Sequence, residues 1–130
     1  MSASTSAAAY KNQQIMTARP ETLTLLLYNG AIKFVAESIQ ALETRDLEKA
    51  NNSNLRAQDI VREFMATLDM QYEISQSLFA LYEYMEYRLI QGNLKKDKVQ
   101  LEEVREMLTE LRDTWNEAMK LARIPQAAGK

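Results

Sequence analysis

Carboxylates are the densest chemically competent groups in this chain. Glu102, Glu103, Glu106 and Glu110 fall close together, and helical spacing puts Glu103, Glu106 and Glu110 on one face. Carboxylates on a helix are part of what a di-iron bundle site needs. The sequence contains no histidine and no cysteine, however. That excludes zinc sites built on nitrogen or sulfur, the Glu-x-x-His di-iron motif of helical bundles, and Ser–His or Cys–His nucleophiles. No glycine-rich phosphate loop is present either. The carboxylates therefore read as a solvated helix face. One catalytic class survives, the all-helical mutases of the chorismate type, which rearrange a substrate by electrostatic positioning without a metal. Arg56, Arg62, Arg88 or Lys33 would have to converge inside a bundle, and only Arg88 lies near an apolar seam. An arginine that buries its stem and keeps its head in water is far commoner. The expectation is a protein that is not an enzyme, with no catalytic residue, metal or cofactor.

Charge narrows the partners. The formal net charge is −2, and the one basic cluster, Lys95, Lys96 and Lys98, is interrupted by Asp97. A nucleic-acid partner is not expected from that balance. No apolar run is long enough to span a bilayer, so no membrane insertion is expected. Met1 to Ala9 is small and polar, without the basic-then-apolar layout of a secretion signal. With no cysteine to oxidise, a cytoplasmic location is the expectation.

The elements that carry these side chains follow from spacing. Only 3 glycines and 2 prolines punctuate the chain, too few for the frequent turns of an all-β domain. Apolar residues instead fall at alternating steps of three and four. The first series is Leu25, Tyr28, Ile32, Val35, Ile39 and Leu42. The second is Leu47, Ala50, Asn54, Ala57, Val61, Phe64 and Leu68. The third is Ile74, Leu78, Leu81, Met85 and Leu89, and the fourth Leu101, Val104, Leu108, Leu111, Trp115, Ala118 and Ala122. Each is the core-facing stripe of an amphipathic helix.

Short connections make successive helices antiparallel, so the fold class is all-α, an up-down-up-down four-helix bundle. Thr17 is the candidate cap before Pro20, Asp46 and Asp69 precede the second and third helices, and Gly92-Asn93 ends the third. Asp97 and Gln100 have capping-box spacing at the start of the fourth. Residues 1–19 form a flexible N-terminal segment, 20–124 the bundle and 125–130 a disordered tail. Gly30 follows Asn29 in a dipeptide typical of hairpins, yet lies inside an unbroken helical series, and is read as a packing notch.

The apolar residues exceed what four stripes require. Leu23, Leu26, Leu27 and Phe34 add to the first helix, Leu55, Ile60 and Met65 to the second, and Val99, Met107, Met119 and Leu121 to the fourth. On the third helix Phe79, Leu81, Tyr82, Tyr84, Met85 and Tyr87 point nearly all round the axis. No helix of a four-helix bundle is central, so a helix apolar all round lends a face to a partner. Tyrosine offers an apolar body with a wet tip, and the 7 methionines add adaptable surface of the kind that grips apolar helices.

Three blocks carry a family resemblance. Asn12 to Phe34 (NQQIMTARPETLTLLLYNGAIKF), Leu78 to Asn93 (LFALYEYMEYRLIQGN) and Leu101 to Trp115 (LEEVREMLTELRDTW) occur in order. Together they resemble the flagellin-specific export chaperones, the FliS family. The link after Leu68-Asp69 departs from the family pattern, being shorter and free of glycine.

The resemblance implies a four-helix bundle that binds the disordered C-terminal segment of flagellin in apolar grooves. It implies that flagellin is kept from polymerising early and is presented to the flagellar type III export gate. It also implies that the N-terminal segment, with Tyr10 and Ile15, covers part of a groove in the free protein and contacts the gate. The candidate partner contacts are drawn mostly from outside the strict seams. Ile60, Phe64 and Met65 would line one groove with Tyr82, Met85 and Leu89, and Leu23, Leu27 and Phe34 another with Met107. Weak self-association is left open, because a self-associating bundle would also use the apolar surplus.

Overall fold

The structure, a computed structural model, describes residues 20–123. They form four helices: α1 (Pro20–Glu43), α2 (Leu47–Thr67), α3 (Glu73–Lys95) and α4 (Lys98–Arg123). Each boundary has a local cause. Pro20 opens α1, where its missing N–H is no loss. Arg45 turns into the left-handed region at φ 62°, and the Asp46 carboxylate then caps α2 by accepting the Lys49 N–H at 3.2 Å. The glycine-free link between α2 and α3 closes on Asp69, whose carboxylate accepts the Gln71 N–H at 3.1 Å. Thr17 lies outside the described residues.

The third helix runs on past its expected end at Gly92-Asn93. Lys96 stops it in a left-handed conformation at φ 54°, and the Asp97 N–H donates back to the Gly92 carbonyl at 2.9 Å. Asp97 then caps α4, accepting the Val99 N–H at 3.0 Å. Gln100 completes the cap differently from a capping box: its side chain donates to the Asp97 carboxylate at 3.1 Å, since the Asp97 N–H is already used.

Each helix packs against two neighbours, α1 and α3 each touching both α2 and α4. Polar contacts along the seams show the alternation of direction. Ser38 donates to the Ala50 carbonyl and Glu37 meets Ser53, so α1 and α2 run antiparallel. Asn51 meets Asn93 and Arg62 meets Glu86, antiparallel again. Lys98 meets Glu43 at one end while the Trp115 Nε1–H donates to the Glu21 carbonyl at the other. The result is the expected up-down-up-down bundle. The α2 seam also carries a buried polar ladder, in which Gln58 donates to Asn54 and Asn54 to the Leu89 carbonyl. Every buried side-chain polar atom among the described residues has such a partner, which ties α2 to α3 in one register.

The core is filled by Val35 and Ile39 of α1, Val61 and Phe64 of α2, Tyr82, Met85 and Leu89 of α3, and Leu101, Val104 and Leu108 of α4. At its centre Phe64 lies between two tyrosine rings, 4.6 Å from Tyr28 and 5.2 Å from Tyr82 by centroid. The hydroxyls of Tyr28 and Tyr82 share a hydrogen bond of 2.6 Å across the diagonal of the bundle. Burial raises the pKa of Tyr28, an effect its bond to Tyr82 partly opposes. Burial and the bond to Tyr28 both raise that of Tyr82. The folded chain therefore keeps protons that the unfolded chain releases above about pH 10, and stability falls as pH rises through that point.

Tyr82→Phe is expected to lower the unfolding free energy by about 1–3 kcal/mol at neutral pH by stranding the Tyr28 hydroxyl. The double replacement Tyr28→Phe/Tyr82→Phe should recover most of that loss and flatten the alkaline fall. Denaturant titrations at neutral pH and above pH 10 check both. A double variant as unstable as the two single losses added together contradicts the paired role.

The two helical glycines differ. A Cβ on Gly30 would sit 3.5 Å from Ile60 Cδ1, an ordinary contact, so Gly30 is no tight notch. A Cβ on Gly92 would come within 2.8 Å of Leu101 Cδ2 and 3.3 Å of the Asp97 carbonyl. Leu101 is fully buried and has nowhere to retreat. Gly92 is thus the residue that lets α3 and α4 approach. Gly30→Ala is expected to raise stability by about 0.5–1 kcal/mol through helix propensity, and Gly92→Ala to lower it by about 1–2 kcal/mol through overpacking. Thermal denaturation of the two variants should move in opposite directions.

Candidate functional site

An apolar side chain that the core does not use must face water or a partner, and α3 carries more of them than any other helix. Met70 in the preceding link, then Ile74, Leu81, Tyr84 and Tyr87, are exposed, with Ile74 65% and Tyr87 57% accessible. Ile74, Ser77, Leu81, Tyr84 and Arg88 follow one another at steps of three and four, so they form a second stripe on the helix beside the buried one. Against this stripe α4 presents Met107 and Leu111, both half-buried against the core.

Leu81, Met107, Leu111, Glu110 and Thr114 line a shallow groove of about 170 Å³ between the two helices. A polar clasp closes one end, where Arg88 Nε donates to Glu103 at 2.6 Å and the Tyr84 hydroxyl donates to the same carboxylate at 2.9 Å. Burial is slight at Tyr84, and the bond to Glu103 leads the causes that raise its pKa. The geometry can hold an extended or helical apolar segment.

The expected contact residues separate into three sets. Phe64, Tyr82, Met85 and Leu89 are at most 6% exposed and belong to the core; in this form they line no open groove. The cause is the register of α3. Leu81 and Tyr82 are adjacent and both apolar, so two seams one position apart fit the sequence. Tyr82 takes the core because its hydroxyl finds Tyr28 and its ring finds Phe64. Leu81 and Ile74, expected inside, are thereby turned out, and Ser75 is buried in place of Ile74. Leu23, Leu27, Phe34, Ile60, Met65 and Met107 are half-buried. Met107 faces Leu81 of α3 rather than Leu23, Leu27 and Phe34 of α1. Tyr10 and Ile15 lie outside the described residues. Leu81 and Ile74 are exposed where the spacing expects them on the seam, and Tyr84, part of the apolar surplus of α3, is exposed with them.

A second cleft, of about 270 Å³, lies between α1 and α2. Its walls are polar and paired among themselves: Arg56 sits over the Phe34 ring at 5.6 Å, and Ser53 bonds Glu37. The cations that a charge-positioning enzyme would need do not converge. Arg56 lies on the α1/α2 side, Arg62 pairs with Glu86 between α2 and α3, and Arg88 pairs with Glu103 between α3 and α4. Lys33 is exposed. Among the described residues no group of carboxylates is placed to hold a metal ion, and no helix is long and apolar enough to cross a membrane.

Comparison with known proteins agrees with the bundle. Residues 2–122 match the family model described as flagellar protein FliS. The flagellar secretion chaperone FliS of Bacillus subtilis is 42% identical over 115 residues, covering 88% of this chain and 86% of the relative. The FliS of Escherichia coli is 28% identical over 108 residues, covering 81% and 79%. A crystal structure of a bacterial flagellar chaperone superposes with a TM-score of 0.73 at 20% identity, covering 88% of this chain and 98% of that one, and shares the fold. A chaperone for flagellar export, with a role that points away from catalysis, follows from the family match and the close sequence relatives. The chain belongs to the FliS family of flagellar secretion chaperones.

Proposed function

We propose that this chaperone holds the disordered C-terminal segment of flagellin in the cytoplasm, keeps it from polymerising, and hands it to the flagellar export gate. The observation that carries this reading is the second apolar stripe of α3. Ile74, Leu81 and Tyr84 stand exposed beside a core that is already full, and a soluble bundle has no structural use for them. The α3/α4 groove floored by Met107 and Leu111 would take the segment.

No chemistry is required of the site. A segment that is disordered alone gives up conformational freedom when it folds on binding, a cost of about 2–5 kcal/mol. Apolar burial along the groove offsets that cost and leaves a modest net affinity, which suits release at the gate. The half-buried Leu23, Leu27, Phe34, Ile60 and Met65 would extend the contact onto α1 and α2.

The test is flagellin polymerisation followed by light scattering. An equimolar amount of this chain is expected to suppress filament growth, and a flagellin lacking its C-terminal segment should not be bound. Unaltered growth in the presence of the chain contradicts the proposal. A stable dimer of the chain, indifferent to flagellin, would favour self-association through the same stripe.

A further inference from the structure

The two walls of the α3/α4 groove differ in charge. On α3 the groove is lined by Leu81, with Ile74, Ser77 and Tyr84 on the same exposed stripe, and between Glu73 and Gln91 the one cation of the helix is Arg88, engaged in the clasp. On α4, Glu103, Glu106, Glu110, Asp113 and Glu117 follow at steps of three and four, so a carboxylate recurs at every turn along one flank. Three of these are matched: Glu103 by Arg88, Asp113 by Arg112 and Glu117 by Lys120. Glu106 and Glu110 are exposed and have no cationic partner among the described residues. Glu110 lines the groove itself, beside Met107 and Leu111. An apolar floor with one neutral wall and one unmatched acidic wall is a lopsided site.

We propose that the groove is built for an amphipathic helix that carries an apolar stripe with lysines or arginines along one flank, that flank lying against Glu106 and Glu110. The proposal rests on the reading of the groove as the client site and adds the chemistry of the client. The stripe from Ile74 to the clasp at Arg88 spans about 21 Å, the length of a helix of about 14 residues. Cations on the occupant's flank would reach the two free carboxylates while its apolar face covers Leu81 and Met107. Exposed pairs of this kind are screened by salt, so the preference is a low-salt property.

Two synthetic peptides of about 16 residues, long enough to fill the groove, make the test. Both share one apolar stripe on an alanine and glutamine background; one carries lysines on a single flank, the other glutamates at the same positions. Fluorescence anisotropy measures their binding to the full chain and to Glu106→Lys/Glu110→Lys, an exposed double replacement whose fold circular dichroism checks. The lysine peptide is expected to bind about tenfold tighter to the unaltered chain at low ionic strength. The difference should shrink with added salt and reverse in the double variant. Equal affinities, a preference that survives the double replacement, or a groove occupied by a second copy that admits neither peptide would each overturn the proposal.

The flagellin C-terminal segment, run as a third probe, keeps the two readings apart. If it binds the unaltered chain and the double variant alike, the client assignment stands and the charge proposal falls. If it binds neither while the peptides behave as expected, the client assignment falls and the groove chemistry stands.

Discussion

Replacing Phe64 by alanine is expected to lower the unfolding free energy by about 3–5 kcal/mol, the usual range for emptying a large aromatic site in a core. Phe64 is 6% exposed and lies between the rings of Tyr28 and Tyr82. Removing it deletes apolar burial and the ring contacts together, and leaves a cavity that the tyrosine pair cannot fill without giving up the hydrogen bond between α1 and α3. A loss of that size is a large part of the stability of a domain this small. Urea denaturation followed by circular dichroism gives the number. The result also decides what Phe64 is for: a variant that keeps its stability and loses only client affinity would place Phe64 in a groove after all.

Leu81→Asp is expected to do the reverse. Leu81 is 39% exposed, so the folded chain loses less on its replacement than on that of Phe64, about 1–2 kcal/mol from helix propensity and the part of the side chain already covered. Client binding should weaken by about 30-fold or more. The leucine surface still open to a partner is worth about 1 kcal/mol, and the new carboxylate would face the same groove as Glu110, where a bound segment would strip it of water at a further cost of about 1–3 kcal/mol. Phe64 and Leu81 thus form a pair of contrasting signatures, stability without contact and contact with a smaller share of stability. Equal affinity of Leu81→Asp and the unaltered chain for the flagellin segment would remove the α3/α4 groove from the site.

The bundle was legible because its periodicity is redundant. Four series of threes and fours, Asp46 and Asp97 at helix starts, and too few glycines for anything else all point the same way. The register of α3 was not legible. Where Leu81 and Tyr82 stand side by side, hydrophobicity alone cannot say which turns inward. The choice depends on Tyr28 and Phe64, residues of other helices, and on Gly92 facing Leu101, which only the assembled bundle brings together. Gly92 likewise looked like a helix stop because glycine is a breaker in isolation; its use as a close-approach site depends on a neighbour far along the chain.

The candidate site inherits the same division. That α3 has more apolar surface than a bundle helix can bury was visible from composition along one segment. Which residues stay outside required the fold: Tyr82, Met85 and Leu89 are buried, while Leu81, Ile74 and Tyr84 are exposed. Met107 was singled out from sequence and does line the groove, but opposite α3 instead of α1. The carboxylates of α4 read from the sequence as a solvated helix face. Beside the neutral wall of α3 they give the groove a charged flank.

An open apolar groove on this bundle is proposed to capture a disordered client and fold it. Calorimetric titration of the flagellin C-terminal segment into the full chain at several temperatures tests that most directly, with circular dichroism of the mixture alongside. The expected result is one segment bound per chain, a negative heat-capacity change from apolar burial, and more helix than the sum of the separate components. Binding without a heat-capacity change and without added helix, or no binding at all, would contradict it.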